Sequence, residues 1–180
     1  MDLEKILPKD GPPIDEVSKY IEKYKNDLIV IKYGGNVFID RKIFDNFITD
    51  INILNKLGIS FTVVHGGGPR IKRELDKSNI QSKFIRGLRV TDEKIISIVE
   101  SVLIDFNNDI VESLKKCGTD AVSIHTKKNN IIKVAPETKE LGFVGIPNKV
   151  DNNLIEKILN QKQVPIISPL GLGSDNHPYN

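Results

Sequence analysis

Two glycine-rich stretches, Lys32-Tyr-Gly-Gly35 and His65-Gly-Gly-Gly-Pro69, each follow a run of apolar residues. Glycine adopts backbone angles that are closed to other residues, and its missing side chain lets a ligand come within hydrogen-bonding distance of the main chain. Residues 70–79 have helical character, and Pro69 suits the first helical position, because its missing N–H would have been unpaired there anyway. The free N–H groups of the second stretch and the positive end of the helix dipole would face one point. We therefore predict that a carboxylate or phosphoryl group binds there.

Lys32 places a positive charge at the first glycine stretch. Ligands of open α/β sheets bind beyond the carboxyl ends of the strands, where Lys32, Gly34 and Gly35 would lie, and the two stretches can meet side by side at that edge. An ammonium group there could neutralise the charge that develops on a transferred phosphoryl group, a reaction catalysed mostly by positioning and electrostatic stabilisation. The alternative is a lysine that extends along the sheet edge into solvent.

Arg89 is a second candidate for binding an anion. Its guanidinium is a planar fork suited to a bidentate carboxylate contact, although a single arginine is a surface residue about as often. Neither glycine stretch matches the Walker A sequence or the dinucleotide-binding pattern G-x-G-x-x-G. The three histidines, His65, His125 and His177, lack the spacing of metal ligands. We expect no zinc site.

Patterns typical of strands and of helices alternate along the chain. These elements must position Lys32, Arg89 and the glycine stretches. The run that begins at Leu28 is continuously apolar, which is typical of a strand buried on both faces of a parallel sheet. A final buried strand, Val164 to Ser168, precedes Pro169 to Asn180, which we interpret as a loop. The predicted helices are an amphipathic helix over residues 14–24, a helix over residues 40–57, a helix that begins near residue 70 and a long helix from Thr91 or Asp92 to about Lys116. This order predicts an α/β fold.

Composition sets limits on the class of protein. The 180 residues with 39% apolar content suffice for one domain. A net charge of +2 is too small to indicate a nucleic-acid partner. The single cysteine, Cys117, cannot form an internal disulfide, which fits a reducing compartment. No run approaches the ~20 apolar residues of a membrane span, and the first residues lack a signal peptide's apolar stretch, so we expect a cytoplasmic protein without a membrane partner.

Five motifs resemble, in order and at similar spacing, the N-terminal portion of the acetylglutamate kinases, a group within the amino acid kinase family. They are the two glycine stretches, Gly87-Leu-Arg-Val-Thr-Asp92, Leu141-Gly-Phe-Val-Gly145, and Pro165-Ile-Ile-Ser-Pro169 with Pro178-Tyr-Asn180. The His-Gly-Gly-Gly-Pro turn alone is shared by relatives, whereas its combination with Gly-Leu-Arg-Val-Thr-Asp points to this group. The resemblance covers essentially residues 28–180. It implies a three-layer αβα sandwich with a mainly parallel central sheet.

The resemblance also implies an activity and the residues that carry it. The activity is ATP-dependent phosphorylation of the side-chain carboxylate of N-acetyl-L-glutamate to N-acetyl-L-glutamyl 5-phosphate in arginine biosynthesis, with MgATP as co-substrate. It gives Lys32 the catalytic role of stabilising the transferring phosphoryl group. The implied phosphoryl contacts are Gly34, Gly35 and Gly67, and the implied substrate contacts are Gly67, Gly68, Arg89 and Asn180.

The family pattern continues beyond Asn180 with a half that binds ATP, and that half is absent from this chain. We therefore expect residues 28–180 to form the N-terminal, acetylglutamate-binding domain of a kinase. Residues 1–27 would form an N-terminal arm, expected to be mobile up to Pro13, and an amphipathic helix. That helix either covers its own domain or packs on a neighbouring subunit. The resemblance implies a homo-oligomer, a dimer or a hexamer assembled through this helix.

Two further interpretations stay open. The chain could be a non-catalytic module, derived from the kinase, that serves oligomerisation or regulation. It could also be a related amino acid kinase that acts on another carboxylate, such as carbamate or aspartate, although the stretch Gly87 to Asp92 disfavours this.

Overall fold

The computed structural model describes residues 2–34 and 40–180. The helices in that part of the chain are α1 (Leu3–Ile6), α2 (Ile14–Tyr24), α3 (Arg41–Lys56), α4 (Gly68–Lys77), α5 (Glu93–Lys116) and α6 (Asn152–Asn160). The strands are β1 (Ile29–Tyr33), β2 (Phe61–His65), β3 (Phe84–Ile85), β4 (Leu88–Arg89), β5 (Ala121–Ile124), β6 (Ile132–Pro136), β7 (Gly145–Val150), β8 (Val164–Ile167), β9 (Gly171–Leu172) and β10 (Pro178–Tyr179).

The main sheet has the strand order β1-β2-β8-β5, and all its pairs are parallel. Helices α3 and α5 cover one face, where Phe61 and Val63 of β2 meet Phe106 and Ile110 of α5. Helix α6 covers the other face through Ile158 and its neighbours. The expected three-layer αβα arrangement with a parallel central sheet is confirmed.

Helix α5 runs for 24 residues and joins two apolar clusters. Its C-terminal half packs on the main sheet, and its N-terminal half packs on α4, with Leu103 beside Ile71 and Leu75. Asp92 caps the helix, because its carboxylate accepts a hydrogen bond of 2.8 Å from the Ile95 N–H. The helix therefore fixes the position of α4, and with it the glycine stretch from which α4 begins.

Strand β1 differs from its prediction. It lies at the edge of the main sheet, and its residues alternate between partly buried and exposed positions. Val30 is 62% exposed, and the Lys32 side chain lies on the same face. Helix α6 packs on β8 and covers this face of the inner strands, whereas Val30 stays exposed. The prediction that β1 is buried on both faces is therefore wrong for the part of the chain that the structure describes.

A second sheet has the order β10-β9-β6-β7. The segment interpreted as a loop, Pro169 to Asn180, contributes β9 and β10 to it, so that interpretation is wrong. Strands of two residues are too short to show the alternation by which a strand is recognised. Gly171 permits the close approach of β9 to β6, since an added Cβ would lie 2.4 Å from the Val134 side chain.

At the N-terminus, α2 spans the residues predicted for it, and the predicted arm contains the short helix α1. Val17 of α2 is buried, whereas Ile14 and Tyr20 are 41% and 50% exposed. The arm, α2 and α3 enclose an apolar pocket of about 360 Å³. None of the helices in the described ranges has the length and apolarity to cross a lipid bilayer.

Candidate active site

The two glycine stretches begin side by side at the carboxyl edge of the main sheet. Strands β1 and β2 pair with Tyr33 opposite His65. The Gly66 N–H continues this pairing beyond the strand and donates a hydrogen bond of 2.8 Å to the Tyr33 carbonyl. The predicted juxtaposition of the stretches is thus confirmed. Gly35, the fourth residue of the first stretch, lies outside the described residues.

Gly67 forms the N-cap of α4 and is buried. It carries no side chain that could satisfy the first N–H groups of the helix, which leaves them available to an anion. The site also favours glycine sterically, because a Cβ at this position would lie 2.4 Å from Cδ2 of the buried Leu103, which would have to move. The helix begins at Gly68, so Pro69 occupies its second position rather than the predicted first.

His65 precedes this turn and is 1% exposed. Burial lowers its pKa to about 4, and the positive charge of Arg70 and the neighbouring His125 contribute in the same direction. Its ring lies edge-on against Phe106 with a centroid distance of 4.9 Å. At neutral pH the imidazole is therefore uncharged, which excludes it as a cationic contact for an anion.

A pocket of about 780 Å³ opens between the N-terminal end of α4 and the β3–β4 hairpin. Its walls are formed by Gly68, Pro69, Lys72, Asp76, Gln81, Ser82, Phe84 and Arg89. The pocket brings together Gly68 and Arg89, two residues predicted separately from the sequence. Its volume falls within the range of about 300–1,000 Å³ that is usual for sites that bind small molecules.

Arg89 is held on β4 by contacts that fix its planar group. Its Nη1 donates a hydrogen bond to the Ser82 hydroxyl, and its guanidinium lies 5.0 Å from the centre of the Phe84 ring. Partial burial lowers the pKa of Arg89. No carboxylate among the described residues forms an ion pair with Arg89, whereas Lys72 is paired with Asp76 at 2.5 Å. Arg89 therefore offers its charge to a ligand.

Asn180 is tied to the same region through its main chain. Its N–H donates to the Phe143 carbonyl and its carbonyl accepts from the Gly145 N–H, both at 3.1 Å. The Phe143 N–H in turn donates to the carbonyl of Thr91, two residues after Arg89. The Asn180 Oδ1 is buried and accepts no hydrogen bond from the described residues. Asn180 is not part of the pocket wall, but this chain of contacts connects it to β4.

Lys32 and Gly34 occupy the neighbouring strand end. Lys32 pairs in register with Val64 and shares its face of the sheet, opposite to the face that carries His65. Lys32 is exposed, and it forms no ion pair with another described residue. Gly34 is also exposed, and a Cβ added to it would meet no atom of the described residues within 4 Å. The structure thus places both beside the glycine turn of β2 and outside the pocket that contains Arg89.

The sequence prediction missed Ser82 and Phe84, which hold Arg89, and Asn107, which contacts His65. Asn107 is fully buried in α5. It lies four residues after Leu103 and so interrupts the apolar stripe of the helix, a signal that could have revealed it. Ser82 had no such signal, because it precedes a two-residue strand in a polar segment.

The sequence of this chain is similar to the sequences of known kinases. The amino acid kinase family model matches residues 27–180. Acetylglutamate kinase of Pelagibacter ubique is 50% identical over 99% of this chain and 62% of its own length. Acetylglutamate kinase of Clostridium acetobutylicum is 40% identical over 97% of this chain and 62% of its own length. The chain thus spans about 62% of the length of these two curated relatives.

Solved structures share the fold. The structure of smu.665 from Streptococcus mutans UA159 superposes with a TM-score of 0.76 at 26% identity, covering 86% of this chain and 63% of that one. N-acetylglutamate synthase from Neisseria gonorrhoeae, solved with coenzyme A and N-acetyl-glutamate, gives a TM-score of 0.80 at 20% identity, covering 92% of this chain and 39% of that one. The family match over residues 27–180 shows that this chain belongs to the amino acid kinase family.

Proposed function

We propose that this chain is the amino-acid-binding part of an acetylglutamate kinase. The reaction is phosphoryl transfer from MgATP to the side-chain carboxylate of N-acetyl-L-glutamate, which yields N-acetyl-L-glutamyl 5-phosphate for arginine biosynthesis. The proposal is supported by the curated relatives of that name, two of which are 50% and 40% identical to this chain. ATP would bind mainly to a part of the enzyme that follows residue 180.

The main support for the proposal is that two groups able to bind anions lie at one pocket. The N-terminal end of α4 offers main-chain N–H groups, and Arg89 offers a half-buried guanidinium without a carboxylate partner among the described residues. N-acetyl-L-glutamate carries two carboxylates separated by a short aliphatic chain. Phe84 and Pro69 add apolar surface for its methylene and acetyl groups. A dicarboxylic acid with an apolar substituent therefore suits this pocket.

Each predicted site residue has a role in this proposal. Arg89 and Asn180 hold the α-carboxylate end of the substrate, and Gly67 and Gly68 contact the substrate at the glycine turn. The N–H groups of Gly34, Gly35 and Gly67 bind the transferring phosphoryl group. Lys32 neutralises the charge that develops on it in the transition state, where electrostatic stabilisation has its effect. For Lys32 this requires its exposed ammonium group to turn toward the glycine stretches.

The assembly and the location are part of the same proposal. Ile14 and Tyr20 of α2 remain exposed while Val17 is buried, so the helix covers its own domain and also keeps apolar surface for a second copy of the chain. We propose a homo-oligomer, a dimer or a hexamer assembled through α2. The location is the cytoplasm, where MgATP is available.

An assay of acyl phosphate formation tests the proposed function. The protein is incubated with MgATP and N-acetyl-L-glutamate, and the acyl phosphate is trapped as its hydroxamate. L-aspartate and carbamate serve as competing acceptors, and calorimetry measures binding of each acid to the 180-residue chain. We expect binding of N-acetyl-L-glutamate, and phosphorylation when the nucleotide-binding part is supplied. Binding without phosphorylation in the full-length protein would favour the non-catalytic module, and preference for another acid would favour a related kinase.

A further inference from the structure

Asn107 connects three elements beneath the glycine turn. Its Nδ2 donates a hydrogen bond of 2.9 Å to the Ile166 carbonyl on β8 and lies 3.1 Å from Nε2 of His65 on β2. The Ile166 carbonyl can only accept, so it fixes the orientation of the amide group. The second hydrogen of Nδ2 is then directed at the His65 ring. Nε2 of His65 must therefore be the unprotonated nitrogen.

The other ring nitrogen of His65 acts on the turn itself. Nδ1 lies 3.0 Å from the Gly66 carbonyl oxygen, which can only accept. Nδ1 therefore carries the proton and donates it to this oxygen. Both contacts require the same neutral tautomer, and the lowered pKa of His65, about 4, keeps the ring neutral at physiological pH.

The Gly66–Gly67 peptide transmits this contact to the anion site. No cis peptide bond occurs in the described residues, and in a trans peptide the N–H points opposite to the preceding C=O. Because the Gly66 carbonyl is held toward the buried His65 ring, the Gly67 N–H points away from that ring. The Gly66 N–H is fixed independently by the Tyr33 carbonyl at 2.8 Å. The two peptides that flank the Gly66 Cα are thus each held by one hydrogen bond.

We infer that Asn107 is a positioning residue, which holds His65 in the tautomer and orientation that keep the Gly66 carbonyl turned inward and the Gly67 N–H directed at the bound anion. The inference rests on the proposed function, since that anion is the substrate or its transferring phosphoryl group. The Oδ1 of Asn107 supports it. This atom is buried and accepts no hydrogen bond among the described residues. The orientation of the amide is therefore set by its two donated hydrogen bonds alone, to the Ile166 carbonyl and to Nε2 of His65.

The tautomer of His65 provides a test that requires no ligand. With the three histidines labelled with ¹⁵N, long-range ¹H–¹⁵N spectra at pH 7 distinguish a protonated Nδ1 from a protonated Nε2. We expect His65 to show a protonated Nδ1 and an unprotonated Nε2. A protonated Nε2, or an average of both tautomers, would overturn the inference in the native protein, whether or not any variant folds.

Asn107→Leu removes both hydrogen bonds that the Asn107 amide donates and keeps a side chain of similar volume. We expect the His65 tautomers to average, the Gly67 amide resonance to shift, and N-acetyl-L-glutamate to bind about tenfold more weakly. Asn108→Leu, on the same helix, is the matched control: it loses the hydrogen bond that Asn108 Oδ1 accepts from the Ser123 hydroxyl on β5, and that bond does not involve His65. This control should leave the His65 and Gly67 signals unchanged. An equal loss of affinity in both variants would overturn the inference.

A double-mutant cycle separates positioning from packing. His65→Phe keeps an aromatic ring against Phe106 and removes both ring nitrogens. If Asn107 acts through His65, adding Asn107→Leu to His65→Phe should weaken binding no further. Additive losses would contradict the inference. If the protein binds no N-acetyl-L-glutamate, the proposed function fails, while the tautomer and the Gly67 resonance still test the role of Asn107.

Discussion

The two glycine turns at the carboxyl edge of the main sheet differ in how the chain supports them. The turn after β2 lies between two neighbouring strands, its Gly67 contacts Leu103, and a buried histidine anchors its first peptide. The turn after β1 follows an edge strand, and an added Cβ at Gly34 would meet no atom within 4 Å in the part of the chain that the structure describes. Gly67 and Gly34, from two similar sequence motifs, thus lie in a packed and an open environment among the described residues.

This difference predicts that the two turns contribute differently to stability and to catalysis. The turn after β2 is built into the core, so changes to it should affect folding and ligand binding together. The strand end that carries Lys32 is exposed, so changes to it should affect chemistry while stability stays nearly constant.

Lys32→Ala should reduce turnover about 100- to 1,000-fold in the full-length kinase, the range seen when other electrostatic stabilisers are removed. The free energy of unfolding should change by less than about 0.5 kcal/mol, because the side chain is exposed. Steady-state kinetics and urea unfolding measure the two effects. A change confined to the Michaelis constant would make Lys32 a binding residue, and a large loss of stability would break the comparison.

Acidification should destabilise the turn after β2 through His65. The pKa of His65 is about 4 in the folded protein and 6.5 in the unfolded chain, so the unfolded chain binds the proton more tightly. Stability is therefore lost as pH falls from about 6.5 to 4, by roughly 3 kcal/mol when complete. Urea unfolding of the native protein and of His65→Phe is measured across this pH range. The difference between the two proteins gives the contribution of His65, because both carry the same carboxylates. Parallel pH profiles of the two proteins would contradict it.

Gly67→Ala should lower the free energy of unfolding by about 1–3 kcal/mol, because the new methyl group overlaps Leu103 in a filled core. Gly34→Ala is the control at the open turn, and its effect should stay within about 0.5 kcal/mol. Urea unfolding of both variants makes the measurement. The cost of Gly67→Ala should also fall in a Leu103→Ala background, where the overlap is removed. Equal costs for the two glycines would show that the turns do not differ as described.

Arg89→Lys should weaken binding of N-acetyl-L-glutamate about tenfold although the charge remains. An ammonium group cannot form the two parallel hydrogen bonds of a guanidinium, and it loses the stacking on Phe84. Calorimetry gives the dissociation constant. Lys72→Arg is a control within the same pocket, because Lys72 is already paired with Asp76. An unchanged constant for Arg89→Lys would remove Arg89 from the site.

The sequence alone predicted the α/β order and the meeting of the glycine turns, because continuous apolar strands and glycines at their ends are local signals. It did not predict the exposed face of β1, since Val30 and Val63 are both valines in apolar runs. Their exposed fractions, 62% and 0%, depend on where helices from elsewhere in the chain pack.

The contacts of the site were harder to predict. Arg89 was recognised from the chemistry of its side chain, but the Ser82 and Phe84 contacts that hold it depend on the hairpin. The contact of Asn107 with His65 joins residues 42 positions apart and exists only when α5 crosses the sheet. No local pattern in the sequence specifies such a crossing.

The most direct test of the proposed site is a titration of the chain, labelled with [¹⁵N]glycine, with N-acetyl-L-glutamate. The 13 glycine residues include those of both turns and others far from them, such as Gly118 at the end of α5. The proposed site predicts the largest shifts at the amides of Gly67 and Gly68, saturating with the calorimetric dissociation constant, and none at Gly118. Unmoved Gly67 and Gly68 resonances at saturating acid, or larger shifts at distant glycines, would contradict it.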